Sequence, residues 1–358
     1  MRPRVDQALA GMHAGDAITH DALAMRAALR RAGHESDILC DLTHLGPEMR
    51  GEARDFRTHR VSERDLVIYH CAIASPLTEW YLGLRCRRLM RYHNITPAEH
   101  FLGFNDRTAA QLAQGRRTLP RLAVVTDLAL CDSAYNATEL DAVGFARTEV
   151  LPIVIDFASF DEAPDGARLS ALRGDPRPKI LFVGRVVPNK RQEDLIKVQA
   201  IRQHAARRDS LLFLVGSYGG AQRYLEHLVA LRRRLRVEDT VHFTGLIPQA
   251  DLLAFFRAAD LFLCLSEHEG FCVPLIEAMH HRIPIIAFAA GAVPETLGDA
   301  GILVREKHLP AIAEMVDIAL TDESLRSRIR ARQAKRILAF APERVERRFL
   351  EIVESEIG

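Results

Sequence analysis

Short apolar runs alternate with helical periods along almost the whole chain, and the alternation occurs twice. In the first stretch the runs Leu66–His70, Leu89–His93, Leu128–Ser133 and Val150–Val154 read as buried parallel strands. Helical patterns lie between them: Asp21–Arg31 stops at Gly33, and Asn136–Val143 stops at Gly144. Strand and helix in strict alternation predict a doubly wound α/β unit.

The segment FASFDEAPDGARLSALRGDPRPK then breaks the pattern. It is rich in Asp, Gly and Pro and reads as an interdomain linker centred on residues 157–178. A second alternation follows, with strands expected at Lys179–Val183, Leu211–Val215, Val241–Thr244, Leu261–Leu265, Pro284–Phe288 and Gly301–Val304. Helices are expected at Gln192–Ala206, Ala221–Arg234, Gln249–Ala259, Pro274–His281 and Leu309–Leu320. The predicted fold class is therefore α/β: two Rossmann-like doubly wound domains, 1–160 and 175–340, facing across a cleft. Open α/β sheets bind ligands at the carboxyl ends of their strands, so the cleft is the expected site. The tail from Asp322 is helical and charged, with Pro342 breaking it.

Length agrees with two domains, since 358 residues exceed the ~250–300 at which single cores stop growing. Lys and Arg (48) nearly balance Asp and Glu (47), which argues against a protein that coats nucleic acid. The N-terminus lacks the continuous apolar core of a signal peptide, and the most apolar runs are too short to span a bilayer. None of the six cysteines forms a CxxC pair, and reduced buried thiols in a cytoplasmic protein are expected.

Two motifs carry chemistry. In ILFVGRVVPNKRQEDLI a strand ends at Gly184, Arg185 and Lys190 follow, and a helix starts near Gln192. Turn, cations and helix N-terminus together suit an anion. Arg185 can fork onto two phosphate oxygens, and Lys190 acts as a point charge. The alternative is a solvated turn. The Walker A pattern is absent. In SEHEGFCVPLIEAM a strand is followed by a polar turn and then a helix from about Pro274. Glu269 sits in the turn and Glu277 eight residues on, about one helical turn inside. Free backbone N–H groups at Gly270–Cys272 would point into the same space. One carboxylate can accept from hydroxyls at one end of a ligand and the other from a ribose, with a diphosphate between.

With these residues in place, the second half resembles the retaining GT-B glycosyltransferases of family 4, which carry GR-x₄-K and E-x₇-E in this order. LFLVGSYGG (Gly216), VHFTGLIPQADLLAFFRAAD (Gly245, Ile247) and IPIIAFAAGAVPETLGDAGILV (Gly291, Pro294, Glu295) also look like that family, so the likeness covers nearly all of 178–305. The resemblance implies that Arg185 and Lys190 hold the donor diphosphate, Glu269 the donor sugar and Glu277 the ribose. Gly184, Gly216, Gly270, Phe271 and Cys272 would also contact the donor, and Ile247 would lie beside the base. It further implies that a closing helix, about 342–358, packs back on the first domain.

The first half is similar in fewer places. LMRYHNITP puts His93 at a strand end, where similar enzymes carry a histidine facing the donor sugar. DLALCDSAYNATEL resembles the strand–Ser–helix element at Ser133. The Gly-rich first loop is reduced to AGMHAGDAITHD, with Gly15 and Asp16 as acceptor-side candidates, and Ile153-Val154 replaces the frequent Asn-Gly before Ile155-Asp156. His13, His20 and His70 read as surface or locally hydrogen-bonded. No Asp-x-Asp occurs and no metal-ligand spacing stands out, so no metal or other cofactor is expected. Basic clusters at Arg85, Arg87, Arg88 and Arg91, at Arg116-Arg117 and at Arg232–Arg234 read as solvated faces, or as contacts to an anionic membrane bearing a lipid-linked acceptor. The expected activity is hexose transfer from a UDP- or GDP-sugar to a glycan or lipid-linked acceptor with retention, with His93, Arg185, Lys190 and Glu269 catalytic. An epimerase or hydrolase on the same fold, or a non-catalytic sugar-nucleotide-binding subunit, is the alternative.

Overall fold

A computed structural model of the chain describes residues 3–358; Met1 and Arg2, which open the expected first domain, lie outside the described residues. In chain order the first elements are β1 (Val5–Leu9), α1 (Ala17–Arg31), β2 (Ile38–Cys40), β3 (Arg54–Asp55), β4 (Leu66–Cys71), α2 (Pro76–Leu82), β5 (Arg87–Tyr92), α3 (Asp106–Val125), β6 (Leu128–Cys131), α4 (Ala134–Ala142) and β7 (Thr148–Val150). They form a parallel sheet of order β3-β2-β1-β4-β5-β6-β7. Next come α5 (Phe157–Asp161), α6 (Gly166–Gly174), β8 (Lys179–Val183), α7 (Gln192–Ala200), β9 (Leu211–Val215), α8 (Gln222–Arg234), β10 (Val241–Gly245), α9 (Gln249–Ala258), β11 (Leu261–Cys264) and α10 (Val273–His280). The chain closes with β12 (Ile285–Phe288), α11 (Val293–Leu297), β13 (Ile302–Val304), α12 (Leu309–Thr321), α13 (Glu323–Arg336) and α14 (Pro342–Ile357). The second parallel sheet has the order β10-β9-β8-β11-β12-β13.

The chain divides into two compact units. The first takes residues up to Ala98, Arg107–Ile155 and Phe340–Gly358; the second takes Glu99–Asp106 and Asp156–Ala339. In the first, Val5, Ile68, Leu89 and Leu130 bury the sheet against Met25 and Leu29 of α1 and against Phe349 and Val353 of α14. In the second, Leu181, Leu214, Phe262 and Ile286 sit at the centre of one continuous apolar core. Such strands are apolar on both faces because helices cover both.

Three expectations change. Val150–Val154 is not a strand, since pairing ends with β7 at Val150. Pro152 has no N–H to donate, and the amide of Val154 goes instead to Asp21 Oδ1 at 2.8 Å. The linker is not irregular. Asp156 accepts from the amides of Ala158 and Ser159, and Asp165 from that of Arg168, so residues that look like helix breakers are the N-caps of α5 and α6. The expected helix Gln192–Ala206 stops being α-helical at Ala200 and continues as a π turn, Ile201–Ala205. There the buried Arg202 reaches Asp317 on α12 at 2.7 Å.

Candidate functional site

In the second unit the expected donor-binding residues gather on loops at the carboxyl ends of β8, β9, β11 and β12. Gly216 shows why these loops take the residues they do. Its φ is +147°, and a Cβ there would lie 2.1 Å from the carbonyl oxygen of Gly184, so the turns after β8 and β9 touch backbone to backbone. The amide of Val186 donating to the Ser217 carbonyl (2.9 Å) closes the same contact. Arg185 leaves this turn with its side chain exposed, and no carboxylate pairs with it among the described residues. Ile247, just past β10, is partly buried against the core.

The loop 266–272 is held from three sides. Asn189 donates from Nδ2 to the His268 carbonyl (3.1 Å), and its own carbonyl accepts from the Glu267 amide (2.8 Å). Thr296 on α11 donates to the Phe271 carbonyl (2.6 Å). Gly291, at φ +55°, comes so close that a Cβ would lie 2.3 Å from the Glu269 carbonyl oxygen. Around the rim, Lys307 bridges Asp194 and Glu267 at 2.9 Å each, and Arg191 joins them from the helix side. The sequence reading missed Asn189, Thr296 and Lys307, because their partners lie far along the chain. Gly291 was the one visible trace of this support.

The two motifs meet in a single ion pair: Lys190 Nζ lies 2.6 Å from Glu269 Oε2. Burial works against the ammonium, but the adjacent carboxylate outweighs it and holds the Lys190 pKa above its ordinary value. The expected division put cations on phosphate and carboxylates on sugars; the structure adds a direct pairing of one of each. An ammonium has three donors, so Lys190 keeps capacity for a phosphate oxygen while holding Glu269.

The helix N-terminus after Lys190 also departs from expectation. The first amide of α7, Gln192, donates to the Tyr224 hydroxyl at 3.1 Å, and Glu193 and Asp194 occupy the first turn. These acids neutralise the dipole that would have drawn an anion. The α10 N-terminus is different. Cys272 precedes it with φ +76°, and its side chain makes no capping bond.

Glu277 is half-buried on α10 without an ion-pair partner among the described residues. Burial pushes its carboxyl up to about 7 from an ordinary 4.5. A raised carboxyl costs stability when it ionises, so the cost is absent below pH ~4.5 and complete above pH ~7. Glu277→Gln should therefore stabilise the chain by about 1–3 kcal/mol at pH 8 and leave it unchanged at pH 4. Urea unfolding at the two pH values checks this, and equal stabilisation at both would refute the assignment.

The first unit holds a different arrangement. Gln7 Nε2 donates to the Ala22 carbonyl (2.9 Å), so its Oε1 accepts from His70 Nε2 (2.9 Å). His70 Nδ1 then faces His93 Nε2 at 2.9 Å, and His93 Nδ1 faces Asp132 Oδ2 at 2.9 Å. Both ends of this chain are acceptors, so a proton must lie between the two rings. Burial, reinforced by His93 and Arg91, holds His70 well below its ordinary range, and both ring nitrogens of His93 are engaged, one by His70 and one by Asp132. The His93 side chain is 2 % exposed. His93 therefore offers no free ring nitrogen, and the expected donor-facing catalytic histidine is corrected to a buried partner of His70 and Asp132. Neither His70 nor Asp132 is a surface group; the signal that could have found them is polar residues inside otherwise apolar strands.

Asp16 and Ser133 act as helix caps. Asp16 Oδ2 accepts from the amide and the hydroxyl of Thr19 (2.9 Å each), and Ser133 Oγ accepts from the Asn136 amide (3.2 Å). Gly15, at φ +73°, makes the turn before α1. The basic cluster around Arg88 is solvated only in part, at Arg85 and Arg87. Arg91 is wholly buried, and Arg87 pairs with Glu356 and Asp127. Arg116 reaches Glu139 at 2.6 Å. No helix among the described residues is long and apolar enough to cross a membrane.

Two parallel-sheet Rossmann-like units of this order define the GT-B fold. Over the whole chain the fold is similar to that of sucrose-phosphate synthase from Thermosynechococcus elongatus (TM-score 0.78, 20 % identity, 98 % of each chain). It is also similar to HepE of Anabaena, solved with UDP and glucose (0.76, 19 %, 98 % of this chain and 100 % of that one). Residues 169–336 match the glycosyl transferases group 1 model, and by that segment the second unit belongs to this family. Among curated relatives, the D-inositol 3-phosphate glycosyltransferase of Salinispora arenicola is 32 % identical over 68 % of this chain and 60 % of its own length. The O-antigen chain mannosyltransferase B of Escherichia coli is 30 % identical over 42 % and 39 %. The chain spans between about two fifths and three fifths of the length of the curated relatives it matches.

Proposed function

We propose that this chain transfers a hexose from a UDP- or GDP-sugar to an acceptor hydroxyl with retained anomeric configuration, in the synthesis of a polysaccharide, lipopolysaccharide or other glycoconjugate. The observation that carries this reading is the joining of the two motifs through Lys190 and Glu269, with Arg185 of the first motif exposed and without a carboxylate partner among the described residues. The relatives named for mannosyl and inositol-phosphate glycosyl transfer, and the neighbour solved with UDP and glucose, support it.

As the glycosidic bond breaks, negative charge grows on the leaving diphosphate. Arg185 and Lys190 are the side chains that would meet it, in place of a metal ion. Glu269, fixed by Lys190 and by the backbone around Gly291, would accept from the sugar hydroxyls, and Glu277 from the ribose. No residue is assigned as a covalent nucleophile, and attack by the acceptor on the face the diphosphate leaves fits this set. The reaction is placed in the cytoplasm, with a glycan or lipid-linked acceptor.

Thermal unfolding in the presence of UDP, GDP or ADP tests donor binding. A ligand at a hundred times its Kd stabilises the folded chain by about 2.7 kcal/mol. UDP or GDP should raise Tm, and no shift with either would overturn the donor reading. NMR of the sugar nucleotide incubated without acceptor should show no epimer and only slow hydrolysis. Rapid turnover there would replace transfer by epimerase or hydrolase chemistry.

A further inference from the structure

Cys264 ends β11 and Cys272 precedes α10, so the two thiols flank the loop that carries Glu269. Both sulfurs and a Glu269 carboxylate oxygen lie within 4.8 Å of one another, and all three residues are buried. The two free thiols share a hydrogen bond, and the Cys264 sulfur also contacts the Ser266 hydroxyl at 3.4 Å. The Asn189, Thr296 and Gly291 contacts fix the loop from outside, so the triangle is held by the fold.

We propose that Cys264, Glu269 and Cys272 form a binding site for a borderline-soft divalent cation of the zinc class, filled only when Lys190 leaves Glu269. Two sulfurs and one carboxylate oxygen are a ligand set that zinc and cobalt accept, at about 2.3 Å for sulfur and 2.0–2.2 Å for oxygen. Flexible side chains need close by only a small distance to reach those lengths. Binding forms two metal–sulfur bonds and one metal–oxygen bond. Each thiol gives its proton to solvent, and Lys190 keeps its own and swings away, because ammonium and metal compete for the same carboxylate. A fourth position stays open to water.

The corresponding cluster in the first unit, Asp21, His70 and His93, is as compact but is not such a site. Its ring nitrogens are held by Gln7, by each other and by Asp132, and the guanidinium of Arg91 is locked on Asp21 at 2.9 Å. A buried arginine bonded on several sides cannot withdraw as the partly exposed Lys190 can.

Titration of the reduced full-length chain with Co²⁺ alone tests the proposal without any sugar nucleotide, so its outcome is independent of the proposed transfer. One equivalent should raise thiolate-to-cobalt and tetrahedral visible bands and release about two protons. Cys264→Ser and Cys272→Ser should each abolish the bands, while Cys40→Ser, a thiol of the first unit, keeps them. Glu269→Gln should weaken binding about tenfold or more, and Lys190→Met should tighten it by removing the competing ammonium. Absent bands in the native chain, bands that survive Cys264→Ser, or affinity unchanged or lowered in Lys190→Met would each overturn the proposal. The last readout decides the matter even if the cysteine variants fail to fold.

Discussion

Arg185→Ala lowers kcat/KM for sugar transfer by about 10²–10³-fold, the loss typical of removing one preorganised group from developing charge, and leaves Tm unchanged. The asymmetry follows from the structure. Arg185 is exposed and pairs with no carboxylate among the described residues, so its removal strands no partner. Lys190→Ala gives a different signature. It leaves the Glu269 carboxylate, 7 % exposed, without its cation, and should cost about 1–3 kcal/mol of stability besides activity. Adding Glu269→Gln should return the stability and not the activity. Steady-state kinetics and thermal unfolding of the three variants check the set. Undiminished transfer by Arg185→Ala would remove this arginine from the donor site.

The largest loss of stability is expected from Arg91→Met. Arg91 is wholly buried and binds Asp21 (2.9 Å), Asp132 (3.2 Å) and the carbonyls of Leu151 and Pro152. Removing it takes the guanidinium from two buried carboxylates, which keep the Val154 amide (Asp21) and His93 (Asp132), and takes a donor from each of two carbonyls. Breaking a buried pair from one side costs about 3–5 kcal/mol, which lowers Tm by roughly 10 °C or more for a unit of this size. The triple variant Arg91→Met, Asp21→Asn, Asp132→Asn should recover part of the loss, because charge without a partner dominates the cost. A stable single variant would mean that the network carries little of the first unit's stability. The register explains why this residue is irreplaceable. His70 and Arg91 are partners across β4 and β5, so both side chains leave the same face of the sheet, toward α1.

Much of the architecture was legible in the sequence. The strands Lys179–Val183 and Leu211–Val215 read true to the residue because Ile180–Val183 and Leu211–Val215 are continuous apolar runs. Boundaries failed where a polar side chain changed its job. Asp156 and Asp165 look like linker residues until the helices they cap are seen, and Pro152 ends a strand inside an apolar run. GR-x₄-K and E-x₇-E were legible as motifs because each is local in the chain, within one turn or within one loop and the start of the helix after it.

What the sequence determined by itself was therefore the alternation, the family-like motifs and the chemical types at the site. The tertiary structure alone decided which of those groups meet. It joined Lys190 to Glu269 across 79 residues, closed both ring nitrogens of His93 within its own unit, and buried Arg91, which reads as one more surface cation. The physical reason is that apolar periodicity reports burial along one element, whereas a charge gains its partner from elements distant in the chain. Only packing brings those elements within hydrogen-bond reach.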